Sequence, residues 1–471
     1  MTRYVPRSYQ HAISQFIRET PRGLVLAGMG TGKTPSTLDA LADLLLLGEV
    51  SNILVLAPKR VALSTWPGEV RKFTNLSHLD MAVAVGDAAS RRAALARRAQ
   101  ITVCTYDLIP WLDEVLGGDW FFDMIVCDEV SKLKGLRVSL QRSKTGKLFL
   151  NGQGSVRAKT LAKYALGKTK RFIGLTGTPA PNGIEDLWGQ VFFVDMGRRL
   201  GTNFNAYVDR FFQRVPGGDG YTQIRPLKHA QAEVESLIKD ITITIEAKDY
   251  FDLPPLVENI IKVNLPNSAR KMYLDMEKKM FTEIAGHEIE AFSAAAKSVK
   301  CLQIASGAAY TDDSGAWEEV HDAKLDALDS IIEEANGMPV LVAYQFKSDL
   351  ARILKRFKQA RALSQDPKMV DEWNDGRIPV LVVHPASAGH GLSLQHGSNI
   401  LAFFSTGWNL ENDQQVIERI GPTRQAQSGY NRSVFVHRIV AEDTLEEVVV
   451  ERLKSKASVQ DSLLQALKRR G

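Results

Sequence analysis

The sequence contains few cysteines and no long apolar run. Its three cysteines, Cys104, Cys127 and Cys301, lie far apart, in apolar surroundings and outside any metal-ligand spacing. We therefore expect buried thiols in a reducing compartment, with neither a disulfide framework nor a zinc site. No segment approaches the ~18 consecutive apolar residues that a membrane-spanning helix needs, and the amino-terminal MTRYVPRSYQ lacks a signal-peptide pattern. These absences predict a cytoplasmic protein without membrane contact.

Acidic residues are missing from a long central stretch. Between Val130 and Ile184 there is no Asp or Glu, although the whole chain has 54 of them and a net charge of only +5. The stretch contains twelve basic residues: Lys132, Lys134, Arg137, Arg142, Lys144, Lys147, Arg157, Lys159, Lys163, Lys168, Lys170 and Arg171. Such a segment repels itself unless it is solvated or faces a polyanion, and we favour nucleic-acid contact over a solvated basic face.

The length of the chain excludes a single ordinary hydrophobic core. With 471 residues, of which 44% are apolar and 24% charged, the chain has the composition of a soluble globular enzyme. Two or three domains are therefore expected. The absence of a low-complexity tract excludes a disordered or fibrous protein.

Short apolar runs alternate with helical patterns in the first 200 residues. These runs are LVLA 24–27, NILVLAP 52–58, ITVCTY 101–106, MIVCDE 124–129 and RFIGLTGTP 171–179. The alternation predicts an α/β fold, in which helices cover both faces of a parallel sheet. Each run ends in a loop with polar residues, which is where such sheets bind their ligands.

The second half of the chain repeats this alternation after a helical region. Residues from about 200 to 335 have helical patterning without strands, interrupted by the loop VPGGDGYT and the extended stretch FDLPPLVENIIKVNLP. Strand runs then resume with PVLVAYQ 339–345, IPVLVVHP 378–385, NILAFF 399–404 and RSVFVHRIV 432–440. The final segment, TLEEVVVERLKSKASVQDSLLQALKRRG, is predicted to be helical. We therefore expect a first lobe at 1–200, a helical or linking region at 201–335, a second lobe at 336–445 and a C-terminal helix at 446–471.

The first strand leads into a glycine-rich turn, LVLAGMGTGKT, at residues 24–34. Its glycines, Gly28, Gly30 and Gly32, allow successive backbone N–H groups to point inward and bind an anion. Lys33 can reach the β and γ phosphates of a nucleotide, the Thr34 hydroxyl can hold Mg²⁺, and the following helix adds its positive end. The usual eight-residue pattern begins with glycine, where this chain has Ala27, a small residue. The turn predicts ATP and Mg²⁺ as ligands.

Two adjacent acids end a later apolar strand. Asp128 and Glu129 follow the run MIVC, and carboxylates that leave a buried strand are costly unless a cation or a proton donor uses them. Asp128 is expected to hold the Mg²⁺ shared with Thr34. Glu129 is expected to orient and deprotonate the water that attacks the γ phosphate.

In the order of its motifs the chain resembles the Swi/Snf-type branch of the superfamily-two helicases and translocases. The resemblance covers nearly the whole chain. The segments that carry it are SYQ 8–10, APKRVALSTWPGEVRKF 57–73 (similar to motif Ia), CTY 104–106 (Ib), DEVS 128–131, LTGTP 175–179 with Asn182, SAGHGLSLQ 387–395 (V) and GWNLENDQQVIERIGPTRQ 407–425, which leads into motif VI.

The resemblance implies two RecA-like lobes that bind ATP in their cleft and nucleic acid across a shared face. It implies that Gln10 selects the adenine edge, for which one amide supplies both a donor and an acceptor. Thr176 and Thr178 would place hydroxyls beneath the γ phosphate. The backbone of motif V, at Ser387 and at glycines that include Gly391, would approach both ATP and a DNA phosphate.

Motif VI departs from the pattern of the family. The family places two arginines three residues apart to stabilise transition-state charge, and Arg419 corresponds to the first of them. The second position is Pro422, which carries neither charge nor N–H. Arg424 is the nearest substitute. An arginine of this kind contributes about 10³ to 10⁵ in rate, so two alternatives follow: a working finger from Arg419 or Arg424, or a severely slowed ATPase.

Contacts with nucleic acid are expected mainly at phosphates, because a motor steps across any sequence. The candidate residues are Lys59, Arg60, Thr105, Tyr106, Lys132, Lys134, Arg142, Lys144, Lys147 and Ser387. The segment RSKTGKLFLNGQGSVR 142–157 is predicted to be a hairpin with Asn151-Gly152 as its turn. This hairpin is either a DNA-tracking or strand-separating element, or a variable surface loop.

The resemblance implies a DNA-dependent ATPase that translocates on double-stranded DNA and remodels DNA or bound proteins. The alternatives are a strand-separating or fork-reversing helicase, an ATP-gated DNA clamp with weak hydrolysis, and a motor subunit of a restriction or recombination complex. Compact members of the family are common in bacteria and phages. We therefore expect a monomer in the cytoplasm of a bacterium or a phage-infected host, with replication or recombination proteins as candidate partners.

Overall fold

The computed structural model of the protein consists of two compact units. The first comprises residues 1–215, 224–250 and 458–471, and the second comprises residues 216–223 and 251–457. The residues that the structure describes are 2–28, 30–59, 61–143, 145, 148–180, 183–216, 222–246, 249–250, 253, 255–286, 291–310, 315–364, 366–388 and 392–469.

The chain from residue 8 to residue 245 supplies the regular elements of the first unit. They are α1 (Ser8–Glu19), β1 (Arg22–Ala27), α2 (Lys33–Leu46), β2 (Ile53–Ala57), α3 (Trp66–Lys72), β3 (Met81–Val83), α4 (Ala88–Ala96), β4 (Ile101–Thr105), α5 (Ile109–Leu116), β5 (Met124–Asp128), β6 (Arg137–Arg142), β7 (Leu148–Gln153), α6 (Val156–Gly167), β8 (Arg171–Thr176), α7 (Glu185–Asp195), α8 (Phe204–Phe211), β9 (Phe212–Pro216), β10 (Thr222–Pro226), α9 (Ala230–Ile238) and β11 (Thr242–Ile245). Strands β9 and β10 form a separate two-stranded ribbon.

A parallel sheet organises the first unit. Within the described residues it has seven strands in the order β11-β1-β8-β5-β2-β4-β3. The five apolar runs predicted in this region are confirmed as β1, β2, β4, β5 and β8. Strand β8 lies between β1 and β5, with Thr176 beside Leu26 and Leu175 beside Asp128. The carboxyl ends of β1, β8 and β5 therefore meet at one edge of the sheet.

The remaining elements belong to the second unit, except for the end of the last helix. They are β12 (Leu256–Val263), α10 (Asn267–Gly286), α11 (Ala291–Ser306), β13 (Ala308–Tyr310), β14 (Trp317–Glu319), α12 (Ala323–Glu334), β15 (Val340–Ala343), α13 (Lys347–Arg356), β16 (Ala360–Ala362), α14 (Pro367–Asn374), β17 (Val380–Val383), α15 (Pro385–Ala388), β18 (Ile400–Phe403), α16 (Leu410–Ile420), α17 (Pro422–Gln427), β19 (Val434–Ala441) and α18 (Leu445–Arg469).

A second parallel sheet forms the core of this unit. In the described part of the chain it has six strands in the order β12-β19-β18-β15-β17-β16. Val340 and Val342 of β15 pack on one face, and Leu341 and Ala343 pack on the other. Because both faces are covered, the central strands are continuous apolar runs. The predicted α/β fold, with two parallel-sheet lobes and a C-terminal helix, is confirmed.

The region between the two predicted lobes contains strands as well as helices, which corrects the expectation of helical patterning alone. Strand β11 pairs with β1, and β12 pairs with β19, so each sheet gains an edge strand from this region. Alternate residues of β12, among them Leu256 and Ile260, are exposed. Edge strands bury less of their surface than central strands, so they lack the continuous apolar run by which the central strands were identified.

The predicted hairpin exists, but its turn was placed wrongly. Strands β6 and β7 are antiparallel, and Asn151 and Gly152 lie inside β7, opposite Ser139 and Val138. Strand β6 ends at Arg142 and β7 begins at Leu148. Gly152 has a φ of +131°, and a Cβ on it would lie 2.5 Å from the Arg137 carbonyl oxygen. This glycine therefore permits close approach of two strands rather than a turn.

The cysteines are buried free thiols, as predicted. Burial raises the pKa of Cys104 to about 12 and that of Cys301 to about 11, so both remain protonated near neutral pH. Among the helices that the structure describes, none is long and apolar enough to cross a lipid bilayer.

Candidate functional site

The glycine-rich turn connects the end of β1 to the start of α2, which begins at Lys33. Gly30 and Gly32 have φ angles of +76° and +81°. A Cβ on Gly32 would lie 2.2 Å from Nε2 of Gln10. The backbone angle at position 32 is strained for any residue with a Cβ, and a Cβ would also displace the Gln10 amide, so both features favour glycine there. The loop therefore has the left-handed residues that an anion-binding turn requires.

The side chain of Lys33 folds back over this loop. Its ammonium donates hydrogen bonds to the carbonyl oxygens of Ala27, at 2.7 Å, and Gly28, at 3.1 Å. Lys33 is also the first residue of α2, so its charge lies at the positive end of that helix. The predicted phosphate-binding residue is therefore located at the predicted loop.

Gln10 of α1 is held against the same loop. Its Nε2 donates to the carbonyl of Thr31 at 3.2 Å, and its Oε1 accepts from the backbone N–H of Arg7 at 3.0 Å. These two bonds fix the direction of the amide. The structure thus brings Gln10 next to the turn, 21 residues away in sequence.

Asp128 is the last residue of β5, and its carboxyl is buried. Oδ2 accepts a hydrogen bond of 2.9 Å from the indole N–H of Trp66, and the backbone carbonyl accepts one of 2.9 Å from the hydroxyl of Tyr106. Burial raises the pKa of the Asp128 carboxyl, and the Trp66 hydrogen bond and the charge of Lys33 oppose that rise. Lys33, the first residue of α2, thus acts on the pKa of the carboxyl at the end of β5.

Glu129 follows Asp128 in an unusual backbone conformation. Its φ and ψ are 63° and 59°, in the left-handed region, which a side chain other than glycine or asparagine rarely adopts. The carboxyl is 8% exposed, and Oε2 lies 3.5 Å from the donating hydroxyl of Thr176 at the end of β8. Strain of this kind is concentrated at functional sites.

The loop after β8 offers further polar groups to the same edge of the sheet. The Thr176 hydroxyl accepts a hydrogen bond of 3.0 Å from the Thr178 N–H. The Thr178 hydroxyl is buried and has no hydrogen-bond partner among the described residues, and such groups require an explanation. Together with Lys33 and the half-buried Thr34, these groups fit a magnesium-bound phosphate. Asn182 lies outside the described residues.

The motif VI residues lie on α16 and α17 of the second unit. Arg419 is buried, and its guanidinium donates to the carbonyls of Gln415, at 3.2 Å, and Leu392, at 3.3 Å. Arg424 donates to the Ser393 hydroxyl at 3.3 Å. Pro422 is the first residue of α17, a position at which a missing N–H costs nothing.

In the segment that resembles motif V, the structure describes Ser387 but not the glycines. Ser387 is exposed, and its hydroxyl donates to the carbonyl of His384 at 2.8 Å. Gly391 lies outside the described residues, and so does Gly389.

The stretch between Val130 and Ile184 that lacks Asp and Glu, here called the acid-free stretch, is partly neutralised by acids from elsewhere in the chain. Among the described basic residues of the stretch, ion pairs with acids outside it join Arg157 to Asp107, Lys163 to Asp113, Arg171 to Glu49, and Lys134 to Asp186. The charge excess of the sequence is therefore only partly available to a polyanion. Of these four, Lys134 is a candidate nucleic-acid contact, and its ammonium lies 3.8 Å from an Asp186 oxygen.

Among the candidate nucleic-acid residues, exposure separates two groups. Lys59 and Arg142 are exposed, and Lys132 is half-buried. Tyr106 is 2% exposed and Thr105 is 7% exposed. The Tyr106 hydroxyl donates to the backbone carbonyl of Asp128, so this side chain faces the carboxylate strand, and its contact with nucleic acid stays a prediction. Arg60, Lys144 and Lys147 lie outside the described residues.

The contact between Trp66 and Asp128 was not predicted from the sequence. Trp66 was noted only as part of a motif, 62 residues before its partner. A tryptophan after a strand has many packing roles, and no spacing rule links it to a later carboxylate. One feature of the sequence could have indicated this contact. Trp66 comes after β2 and Asp128 ends β5, and these two strands are neighbours in the sheet.

Comparisons with known proteins give a consistent result. A family model described as SNF2-related domain matches residues 9–306. Protein p41 of Acyrthosiphon pisum secondary endosymbiont phage 1 is 48% identical over 473 residues, which is 100% of both chains. The ISWI chromatin-remodeling complex ATPase ISW1 of Saccharomyces cerevisiae is 20% identical over 94% of this chain, and the DNA repair and recombination protein RAD54-like of Drosophila persimilis is 24% identical over 63%.

The chain spans 39% and 43% of the lengths of these last two relatives. Among solved structures, the Sulfolobus solfataricus SWI2/SNF2 ATPase core in complex with dsDNA is similar with a TM-score of 0.44 and 21% identity. That similarity covers 98% of this chain and 94% of the other.

Proposed function

The chain belongs to the SNF2-related family, and from this premise we propose that it hydrolyses ATP and couples hydrolysis to translocation on double-stranded DNA. Remodelling of the DNA, or displacement of proteins bound to it, follows from such movement. The family relatives include a chromatin-remodelling ATPase and a protein named for DNA repair and recombination. Their activities motivate the proposal for this shorter chain.

One observation carries the proposal: the phosphate loop and the carboxylates meet at one edge of the first sheet. Lys33 acts electrostatically on Asp128, and Glu129 contacts Thr176 of the strand between them. Phosphoryl transfer uses groups of these kinds: a lysine, two carboxylates and two hydroxyl groups placed around one site. A structural ion-pair cluster would not need the strained Glu129 or the left-handed loop.

Each residue has a proposed role in hydrolysis. Lys33 and the loop N–H groups bind the β and γ phosphates, and Glu129 orients and deprotonates the attacking water. Thr34 and Asp128 are the residues that would hold Mg²⁺, which neutralises phosphate charge when bound. Gln10 is proposed to select adenine.

Arg419 is proposed to stabilise the charge that develops on the transferred phosphoryl group. Arg424 is the alternative donor. Their contribution is tested by the substitutions described in the Discussion.

The proposed DNA contacts are to phosphates. The candidates with exposed or half-buried side chains are Lys59, Lys132, Lys134, Arg142 and Ser387. The β6–β7 hairpin begins eight positions after Glu129, and it is proposed to track along DNA. Strand separation by this hairpin is the helicase alternative.

Pro422 favours a second candidate function. It occupies the position at which the family carries its second arginine, so hydrolysis is expected to be slow if Arg419 and Arg424 do not compensate. The protein would then act as a DNA clamp that responds to ATP binding.

The experiment that tests the proposal is ATP turnover with double-stranded DNA, single-stranded DNA, RNA or no nucleic acid. Stimulation by duplex DNA that Lys33→Ala abolishes supports the motor. Nucleotide-dependent DNA binding without turnover supports the clamp. Turnover that no nucleic acid changes contradicts both.

A further inference from the structure

Two aromatic side chains hold Asp128 from different directions. Trp66 donates to a carboxylate oxygen of Asp128, and Tyr106 donates to its backbone carbonyl, both at 2.9 Å. The indole of Trp66 is 0% exposed, and Tyr106 is 2% exposed. The indole hydrogen bond restricts the orientation of the carboxylate, and a backbone hydrogen bond from Glu129 acts on the same group.

Trp66 lies close in sequence to a proposed nucleic-acid contact, and Tyr106 lies in the segment that resembles motif Ib. Lys59, which is exposed, lies just before a π-helical turn, Val61–Thr65, and Trp66 follows that turn directly. Tyr106 follows Thr105, the last residue of β4. A movement of either segment therefore acts on a hydrogen bond to Asp128 through one or a few residues of backbone.

The turn before Trp66, Val61–Thr65, is π-helical. π-Helical turns are rare, and they occur frequently at functional sites. Leu63 of this turn is 48% exposed, whereas Trp66, three residues later, is fully buried. The turn thus connects a solvent-facing surface to the carboxylate.

Other buried aromatic donors of the same unit show what a purely structural role looks like. The indole of Trp188 donates to the Gly201 carbonyl at 3.1 Å, and the hydroxyl of Tyr207 donates to the Ile184 carbonyl at 2.8 Å. Both side chains belong to the main core cluster of the first unit, as Tyr106 also does. Their hydrogen bonds go to the carbonyls of Gly201 and Ile184, whereas those of Trp66 and Tyr106 go to Asp128, and this difference makes them matched controls.

We propose that Trp66 and Tyr106 are positioning residues that transmit nucleic-acid binding to the magnesium carboxylate Asp128. This inference rests on the proposed function. Residues behind a metal ligand orient it, and their loss typically weakens metal affinity or activity by about 10- to 100-fold. Trp66 follows the segment of Lys59, a proposed DNA contact, and Tyr106 holds the backbone of the same carboxylate residue, so DNA binding is proposed to act on the orientation of Asp128.

The test compares Trp66→Phe and Tyr106→Phe with the matched controls Trp188→Phe and Tyr207→Phe. Each substitution removes one buried hydrogen-bond donor and keeps an aromatic ring. The first measurement is calorimetric affinity for a slowly hydrolysed ATP analogue, with and without Mg²⁺. The second is the ratio of ATP turnover with duplex DNA to turnover without it. Circular dichroism verifies that each variant is folded.

The proposal predicts that Trp66→Phe and Tyr106→Phe lower the Mg²⁺-dependent gain in affinity, and lower the stimulation ratio, by about tenfold. The controls are expected to keep both quantities within about twofold of the wild type. Equal behaviour of all four variants would overturn the inference. If Trp66→Phe does not fold, Tyr106→Phe decides the question alone.

The two hypotheses fail in different ways. A wild-type protein that no nucleic acid stimulates contradicts the proposed function. A stimulated wild type, with Trp66→Phe and Tyr106→Phe stimulated to the same degree, contradicts the coupling and leaves the motor intact.

Discussion

The ammonium of Lys33 lies 2.7 Å from the carbonyl oxygen of Ala27, the residue at which β1 gives way to the glycine turn. These hydrogen bonds keep the ammonium against the loop that it is proposed to share with the phosphates.

Lys33→Ala is expected to lower ATP turnover by about 100-fold or more, because it removes a charged donor from the developing phosphate charge. Turnover under saturating duplex DNA is the measurement. The matched control is Lys168→Ala, since the Lys168 ammonium also donates to a backbone carbonyl, that of Gly118, in the same unit. A variant with Lys33→Ala that turns over ATP like the control would contradict the role of the loop.

Glu129→Gln is expected to keep nucleotide binding and to lower turnover by about 10² to 10⁴, because it removes a general base and preserves shape. The left-handed backbone at this residue positions the side chain in either variant. Calorimetry gives the affinity, and phosphate release gives the rate. Glu69→Gln, in the same unit, serves as the control. Loss of nucleotide binding together with the rate would assign Glu129 a structural role instead.

Arg419→Ala is expected to lower turnover by about 10³, whereas Arg424→Ala is expected to lower it less. Pro422→Arg is expected to raise turnover, since it restores the second arginine of the family pattern at the first residue of α17. The rates of all three variants, measured with saturating DNA, decide which side chain acts. Full activity of Arg419→Ala with an inactive Arg424→Ala would reverse the assignment.

The stability of the second unit is expected to depend on His321. Its Nε2 lies 3.0 Å from the Ile304 carbonyl, and burial lowers its pKa to about 4. The unfolded chain therefore binds a proton below about pH 6.5, whereas the folded chain does not until about pH 4. Stability is present in full above pH 6.5 and falls as the pH decreases through this window, by up to about 3 kcal/mol.

His321→Gln keeps a donor for the Ile304 carbonyl and removes the titrating group. Thermal unfolding of both proteins between pH 7.5 and pH 4.5 is the measurement. The difference in Tm between these two pH values is expected to be smaller in the variant. Parallel curves for the two proteins would show that His321 titrates normally in the folded state.

The sequence predicted the central strands because their burial leaves a simple signal. Strands such as β5 and β15 are covered on both faces, so nearly every residue is apolar. In the edge strand β12, exposed positions interrupt the apolar run, so the sequence indicated an extended stretch there and not a strand of the sheet. The hairpin turn was misplaced because Asn151-Gly152 is a typical turn sequence, whereas here Gly152 relieves a close contact with the Arg137 backbone.

The candidate site was predicted in part, and the part that was missed depends on tertiary structure. Lys33, Asp128 and Glu129 follow strands and form recognisable local patterns. The hydrogen bond between Trp66 and Asp128 exists only because α3 packs beside the end of β5. The ion pair between Arg157 and Asp107 likewise joins residues 50 positions apart. No local pattern in the acid-free stretch could have revealed that partner.

The most direct test of the proposed motor is displacement of a labelled third strand from a triplex by the full-length protein. A protein that tracks along the duplex removes the third strand without separating the two strands of the duplex. We expect displacement that requires ATP and is lost in Lys33→Ala and Glu129→Gln. ATP hydrolysis stimulated by duplex DNA, with the third strand left in place, would contradict translocation.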